Sequence, residues 1–296
     1  MGRILFFASL LLFIGIGWLN LFAGENASRL FSEGVEAHWK WSLDKAIRLY
    51  TRVLDLEPDH VLAHFNRGVA YRSQGKPDRA LEDFDAAISK APDLADARYG
   101  RGVIRLKKKM YDKALEDMDR VLASNPDHVG ALRVRADAEV ALGRFDKAVK
   151  DLDQALKLYP AESESYFLRG LAYLKKDESE KARADFDKAL ELNPKNVGAW
   201  LKRGNLLFGE ERLPRAIEDY DKAINLDPNN AEAFNNRGWA KARVGDLDGA
   251  LAELTRALEL EPKKAIALAN RAWVYGKLER NESALQDYND FLALDS

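Results

Sequence analysis

The chain has 296 residues, 47% of them hydrophobic, and 46 basic against 48 acidic side chains give a net charge of −2. That balance argues against a nucleic-acid partner, because affinity for a phosphate backbone shows as a basic surplus on one face. There are no cysteines, which excludes disulfides, thiol catalysis, thiolate metal sites and lipidated cysteine anchors.

Residues 1–23 differ in character from the rest. Ile4–Ala23 is 20 residues without a charge, about 30 Å as a helix and long enough to cross a hydrocarbon core. The stretch predicts a retained signal-anchor, a single transmembrane helix. The alternative is a cleaved signal peptide, whose apolar region is usually about 7–15 residues and ends in a small-x-small site. The best cut comes after Ala23, with Leu21 at the third residue back. Arg3 precedes the stretch, while Glu25, Arg29 and Glu33 lie just beyond it. The positive-inside rule then puts residues 24–296 on the non-cytoplasmic side, periplasmic or extracellular and lumenal. Cleavage would make the protein secreted instead. Residues 24–26 read as a short linker, with Asn26 or Ser28 as a helix N-cap.

From Ala27 onward the sequence repeats every 34 residues without insertion or deletion, in eight units: 27–60, 61–94, 95–128, 129–162, 163–196, 197–230, 231–264 and 265–296. A fixed period of this size marks a solenoid of stacked supersecondary units. Each unit shows two helical runs split by a polar turn. In the first unit that turn is instead marked by Trp39 and Trp41, flanking Lys40. The two indoles suit either a headgroup-level anchor or a cover for the open N-terminal end of the stack. Position eight is always small, as in Gly68, Gly170 and Ala272, and position twenty is always alanine, as in Ala46, Ala148 and Ala284. Small residues there let two helices approach closely. Proline at position 32, from Pro58 to Pro262, stops the second helix in units one to seven. Large or aromatic residues recur at positions four (Trp200, Phe234), eleven (Tyr71, Tyr173), seventeen (Tyr111, Phe145) and 24 (Phe84, Phe186, Tyr220, Tyr288).

On these residues the chain resembles the tetratricopeptide repeat family over 27–296. The resemblance implies an all-α, right-handed α-solenoid of eight helix-turn-helix repeats, here preceded by one N-terminal hydrophobic helix. It also implies a non-enzymatic protein-binding role and a concave wall lined by the first helix of each unit.

Two further columns stand out when the units are compared with one another. Position seven is arginine in units two to eight: Arg67, Arg101, Arg135, Arg169, Arg203, Arg237 and Arg271. Position 23 is acidic in the same units: Asp83, Asp117, Asp151, Asp185, Asp219, Glu253 and Asp287. The first unit has Glu33 and Leu49 instead. Both columns fall on or beside the helix–helix seam by i, i+3, i+4 spacing. They predict a structural ladder of partly buried ion pairs within each repeat.

Carried onto the concave wall, the resemblance places an apolar peptide groove at Phe65, Tyr99, Val103, Phe167 and Leu171. A more polar C-terminal part holds Asn205, Asn236 and Asn270, with Trp239 and Trp273 at position nine. In chaperone-binding members three consecutive units clamp a peptide's terminal carboxylate. Asn205 and Asn236 match that clamp's asparagines, but its cationic slots hold Leu201, Ile266 and Asn270.

At the far end, position 27 is Phe291 where units one to seven carry a small residue. Tyr288 and Phe291 therefore mark a surface for self-association, a homo-oligomer contact or a structural tether. His60 and His64 have i, i+4 spacing but no evident third metal ligand, and no phosphate loop or nucleophile motif is present. The sequence thus predicts no catalysis, no metal and no cofactor. It predicts a membrane-tethered scaffold or assembly factor for a protein or peptide partner. A non-catalytic subunit of an enzyme complex is the remaining alternative.

Overall fold

A computed structural model of the chain describes residues 23–294, and every regular element among them is an α-helix. Residues 1–22 and 295–296 lie outside the described part, and with them nearly all of the expected membrane helix. Among the described residues no helix is long and apolar enough to cross a membrane. The chain forms two compact units that meet in sequence at Lys108 and Lys109. The first holds α1 (Ala23–Trp39), α2 (Leu43–Leu56), α3 (Val61–Ser73), α4 (Pro77–Lys90) and α5 (Ala95–Lys107). The second holds α6 (Tyr111–Ser124), α7 (Val129–Ala141), α8 (Phe145–Leu158), α9 (Ser163–Lys175), α10 (Ser179–Leu192), α11 (Val197–Gly209), α12 (Leu213–Leu226), α13 (Ala231–Arg243), α14 (Leu247–Leu260), α15 (Ala265–Lys277) and α16 (Asn281–Leu292).

Local chemistry sets the ends of these helices. Position 34 of each repeat is the N-cap of the next. His60 and His128 accept the Ala63 and Ala131 amides at Nδ1, and Asn196 and Asn230 accept those of Ala199 and Ala233 at Oδ1, all at 3.0–3.1 Å. Every turn within a repeat passes through one left-handed residue at position fifteen, glycine at Gly75, Gly143 and Gly245. One boundary differs from the sequence-based expectation. Residues 24–26, expected as a linker, form the first turn of α1. Gly24 costs a helix only about 1 kcal/mol, and no proline intervenes, so the helix anchored by Ala27 and Leu30 extends back through it.

Packing within the repeats rests on small residues. The position-three alanines Ala63, Ala97, Ala131, Ala199, Ala233 and Ala267 are wholly buried, as is the position-twenty alanine in all but the last repeat. Position four is mixed: Leu30, Leu132 and Leu268 are buried there. His64, Arg98 and Trp200 are half-buried at position four, each donating to the carbonyl of the proline six residues earlier at 2.8–2.9 Å.

Position eight is tied to position 24. A Cβ added at Gly170 would sit 2.6 Å from the Phe186 ring, and one at Gly204 would sit 2.7 Å from Tyr220. The glycines therefore make room for buried rings: Phe84 and Phe186 are fully buried, and Tyr220 is nearly so. Where position eight is Ala136, position 24 is the smaller Leu152. Where it is Ala272, Tyr288 is 41% exposed.

The arginines at position seven bind in two directions. Arg135 donates through Nε and Nη2 to Asp151 of its own repeat at 2.6 and 2.7 Å. Its Nη1 donates to Asp119 of the preceding repeat at 2.8 Å. Arg169 reaches Asp185 and Asp153 in the same way, and Arg203 reaches Asp219 and Asp187. Arg237 takes Glu253 and Asp221, while its Nε is left buried without a partner. Arg67 and Arg271 pair with Asp83 and Asp287, and a threonine hydroxyl, Thr51 or Thr255, replaces the second acid. Arg101 donates to Asp85 at 2.6 Å within the first unit, whereas Asp117 belongs to the second. The position-23 aspartates are buried, Glu253 is partly buried, and the position-25 partners are about half exposed.

Glu139, at position eleven beside this ladder, takes a place that Tyr71, Tyr173 and Tyr275 fill in other repeats. It is buried, its Oε2 has no hydrogen-bond partner, and it lines a cleft of about 380 Å³ with Arg135, Lys147 and Asp151. Burial, reinforced by the Asp151 charge and opposed by Arg135 and Lys147, pushes its carboxyl up to about 7.

This packing sets two expected outcomes. Gly170→Ala should destabilise the protein by about 1–3 kcal/mol through overpacking, despite alanine's better helix propensity. Phe186→Leu in the Gly170→Ala background should recover part of that loss, read as a non-additive double-mutant cycle in urea unfolding. Folded Glu139 keeps its proton to a higher pH than the unfolded chain does, so its stabilising contribution is full below about pH 4.5 and lost as pH rises through about 7. The melting-temperature difference between wild type and Glu139→Gln should accordingly shift against wild type across that window. A difference flat with pH would show that Glu139 titrates normally.

Candidate functional site

The first helix of each repeat offers its positions five, six and nine as the expected binding wall. In the first unit one of the expected wall positions is already filled. Phe65 is 7% exposed, with its ring centroid 6.1 Å from that of Phe84, so it is a core residue and not a groove residue. The reason is geometric: the position-five ring reaches down to the position-24 ring of the same repeat. Tyr99 and Val103 on α5 are half-buried.

In the second unit Phe167 repeats the arrangement, 6.0 Å from Phe186, and its ring also covers Gly198 of the next repeat, but it stays half-exposed. Leu171 is half-buried between two core clusters. Between these residues and Val103 the expected apolar row is interrupted. Position five of the fourth repeat is Arg133 and position nine is Asp137. Arg133 Nε lies 3.1 Å from Glu162. Burial raises the carboxyl pKa of Asp137 while the Arg133 charge lowers it; burial likewise raises that of Glu164, with Asp137 and Glu162 adding to the effect. The signal was visible in the sequence, since both charges sit in columns that are apolar on either side.

Asparagines meet on α11, α13 and α15. Tyr220 Oη, on α12, donates to Asn205 Oδ1 at 2.9 Å. Asn236 Nδ2 donates to the same oxygen at 2.9 Å, and Asn235 Nδ2 donates to Asn236 Oδ1 at 2.9 Å. Asn270 Nδ2 closes the series on Asn235 Oδ1 at 3.1 Å. The four amides form one directional chain across three first helices. Its members Asn205, Asn236 and Asn270 are half-exposed, while Asn235 is buried. Asn205 Nδ2 and Asn270 Oδ1 have no partner among the described residues, so the chain ends in a donor at one side and an acceptor at the other. Trp239 and Trp273 stand beside it edge to face, centroids 5.1 Å apart, with Lys277 Nζ 5.2 Å from the Trp273 ring. Sequence reasoning placed these residues on one wall and missed that the amides bind one another.

At the last helix Phe291 packs against the cluster of Leu258 and Leu268, whereas Leu285, Tyr288 and Leu292 are 41–63% exposed. No group of three or more metal-ligating side chains occurs among the described residues. His64 Nδ1 lies 3.0 Å from Asp83 Oδ1 and its Nε2 donates to the Pro58 carbonyl.

No curated protein matches the sequence. Among solved structures, a tetratricopeptide repeat protein from Parabacteroides merdae is 20% identical with a TM-score of 0.66, over 85% of this chain and 99% of that one. MamA is 26% identical with a TM-score of 0.53, over 59% of this chain and 95% of its own. YrrB, a TPR protein with an unusual peptide-binding site, is 24% identical with a TM-score of 0.53, over 61% and 93%. At these identities the likeness is one of fold. The tetratricopeptide repeat pattern itself matches residues 42–94, 70–129, 99–163, 133–196 and 167–231, and again 219–252. With its helices, small-residue seams and 34-residue period in agreement with that match, the chain belongs to the tetratricopeptide repeat family.

Proposed function

We propose that this protein is a non-catalytic, membrane-tethered scaffold that captures an extended segment of a partner protein on the first helices of its last three repeats. The observation that carries the reading is the amide chain from Asn205 to Asn270, open at both ends, beside Trp239 and Trp273. An extended backbone presents carbonyls and amides in alternation. A carbonyl suits the free Asn205 Nδ2, an amide suits the free Asn270 Oδ1, and an apolar side chain finds the two indoles. Protein binding is the general property of the family, and peptide binding in YrrB supports the same direction.

The tether rests on the uncharged Ile4–Ala23 stretch, and the non-cytoplasmic side on its flanking charges. A second reading, a structural tether or homo-oligomer working through α16, is favoured by the exposure of Leu285, Tyr288 and Leu292. Crosslinking and capture from intact membranes separates the two. An Asn236→Ala/Trp239→Ala variant of the full chain should lose captured partner by tenfold or more while keeping helical content, and Leu292→Asp, on the exposed face of α16, should capture normally. Loss confined to Leu292→Asp would overturn the groove in favour of the end.

A further inference from the structure

The α1–α2 hairpin shows solvent a surface that no other repeat shows. Its turn residue, Trp41, is left-handed with φ 56°. The same slot elsewhere holds glycine or a charged residue: Gly75, Lys109, Gly143, Asp177, Glu211, Gly245 and Glu279. A bulky side chain at positive φ is a strained choice. Burial does not offset that strain, since Trp41 is 65% exposed and its neighbour Trp39 53%. Two exposed indoles in one tight turn are costly for a surface that meets only water.

Next to this turn, α2 carries Lys45, Arg48 and Arg52 on one face by i, i+3, i+7 spacing. All three are exposed, and none makes an ion pair with a described residue. At the corresponding positions α4 and α12 mix charge (Arg79, Glu82 and Ala86; Arg215, Glu218 and Lys222), and α8 and α10 carry two cations each (Lys147 and Lys150; Lys181 and Lys188), so only α2 presents three. Some basic side chains elsewhere are matched across repeats, as Lys176 is with Asp146 and Arg183 with Glu210. The acids of α2, Asp44 and Asp55, stand four residues before Arg48 and three after Arg52 without an ion pair to either, Lys45 acts at a distance on Glu36 of α1, and Asp44 accepts from Gln74. Leu56, 50% exposed, continues the face at its far end.

Position along the chain supplies the partner. The uncharged stretch Ile4–Ala23 runs directly into α1, and α1 is 17 residues, about 25 Å long. The hairpin is therefore within one helix length of wherever that stretch ends. Tryptophan prefers headgroup depth, and lysine and arginine are drawn to anionic lipid within about a Debye length.

We propose that the α1–α2 hairpin lies against an anionic bilayer, with Trp39 and Trp41 at headgroup depth and Lys45, Arg48 and Arg52 facing the lipid headgroups. This rests on the reading of Ile4–Ala23 as a membrane anchor. It would orient the later repeats by a surface contact and not by a flexible link.

The chain has no cysteine, so single spin labels can be placed cleanly on the full-length protein. We would label Leu56→Cys and, as control, Leu226→Cys, the same repeat position on α12, in vesicles of phosphatidylcholine with or without one quarter phosphatidylglycerol. A nickel-chelating headgroup lipid is the relaxation probe. In anionic vesicles the label at 56 should relax at least fivefold more than that at 226. Lys45→Glu/Arg48→Glu/Arg52→Glu should abolish the excess while the chain resists alkaline extraction. Equal relaxation at the two sites, or no response to the charge reversal, in an extraction-resistant chain would overturn the surface contact alone. A chain stripped from the vesicles at alkaline pH would overturn the anchor and the contact together.

Discussion

The guanidinium at position seven is the interaction on which the stack depends. A planar fork with five donors can hold one carboxylate in two bonds and still reach another with its remaining nitrogen. Arg135, Arg169 and Arg203 do this, each gripping the buried acid of its own repeat and the half-exposed acid of the repeat before. A lysine could serve as a point charge but not as a two-way fork. Burying charge is costly unless partners are complete, and here Asp83, Asp151, Asp185, Asp219, Glu253 and Asp287 are each paired with the arginine of their own repeat. The hydrogen bonds that Arg135 donates to Asp151 hold its guanidinium above its ordinary pKa against the opposing effect of burial. The ladder thus fixes the register between neighbouring repeats as well as the pairing within one.

With the seam between repeats held by charge and by alanine, the first helices are left to vary along their other face. In the early repeats that variation is spent on packing, as with Phe65 against Phe84. In the fourth it brings charge, at Arg133 and Asp137. In the last three it brings amides and indoles. Four asparagines that satisfy one another need no ligand to be stable, yet the series ends in a free donor and a free acceptor. On the proposed reading, that arrangement would meet a partner's backbone with its side chains already ordered.

Most of the fold was legible because the period carries it. Gly68, Gly170 and Gly204 at one position, with Phe84, Phe186 and Tyr220 at another, state a ring-over-glycine contact that the structure contains. Less legible was whatever depends on two columns at once. Asp119, Asp153, Asp187 and Asp221 recur every 34 residues, as any solvated face does, and nothing in one column says that a guanidinium from the next repeat reaches it. Phe65 was misplaced for a similar reason: position five lies where wall and core meet, and only the ring at position 24 decides between them. The amide chain was hidden because asparagine's partners are set by side-chain direction, which spacing alone does not give.

The central claim is that the position-seven arginine couples neighbouring repeats. Native-state hydrogen exchange of Arg203→Met against Lys222→Met, a surface control, tests it most directly. Stranding the buried Asp219 carboxylate should cost about 3 kcal/mol, accelerating amide exchange in α11 and α12 by roughly two orders of magnitude. It should also loosen the adjoining α10 and leave α15 and α16 unchanged. Exchange indistinguishable from the control, or an acceleration spread evenly over every helix, would contradict the account.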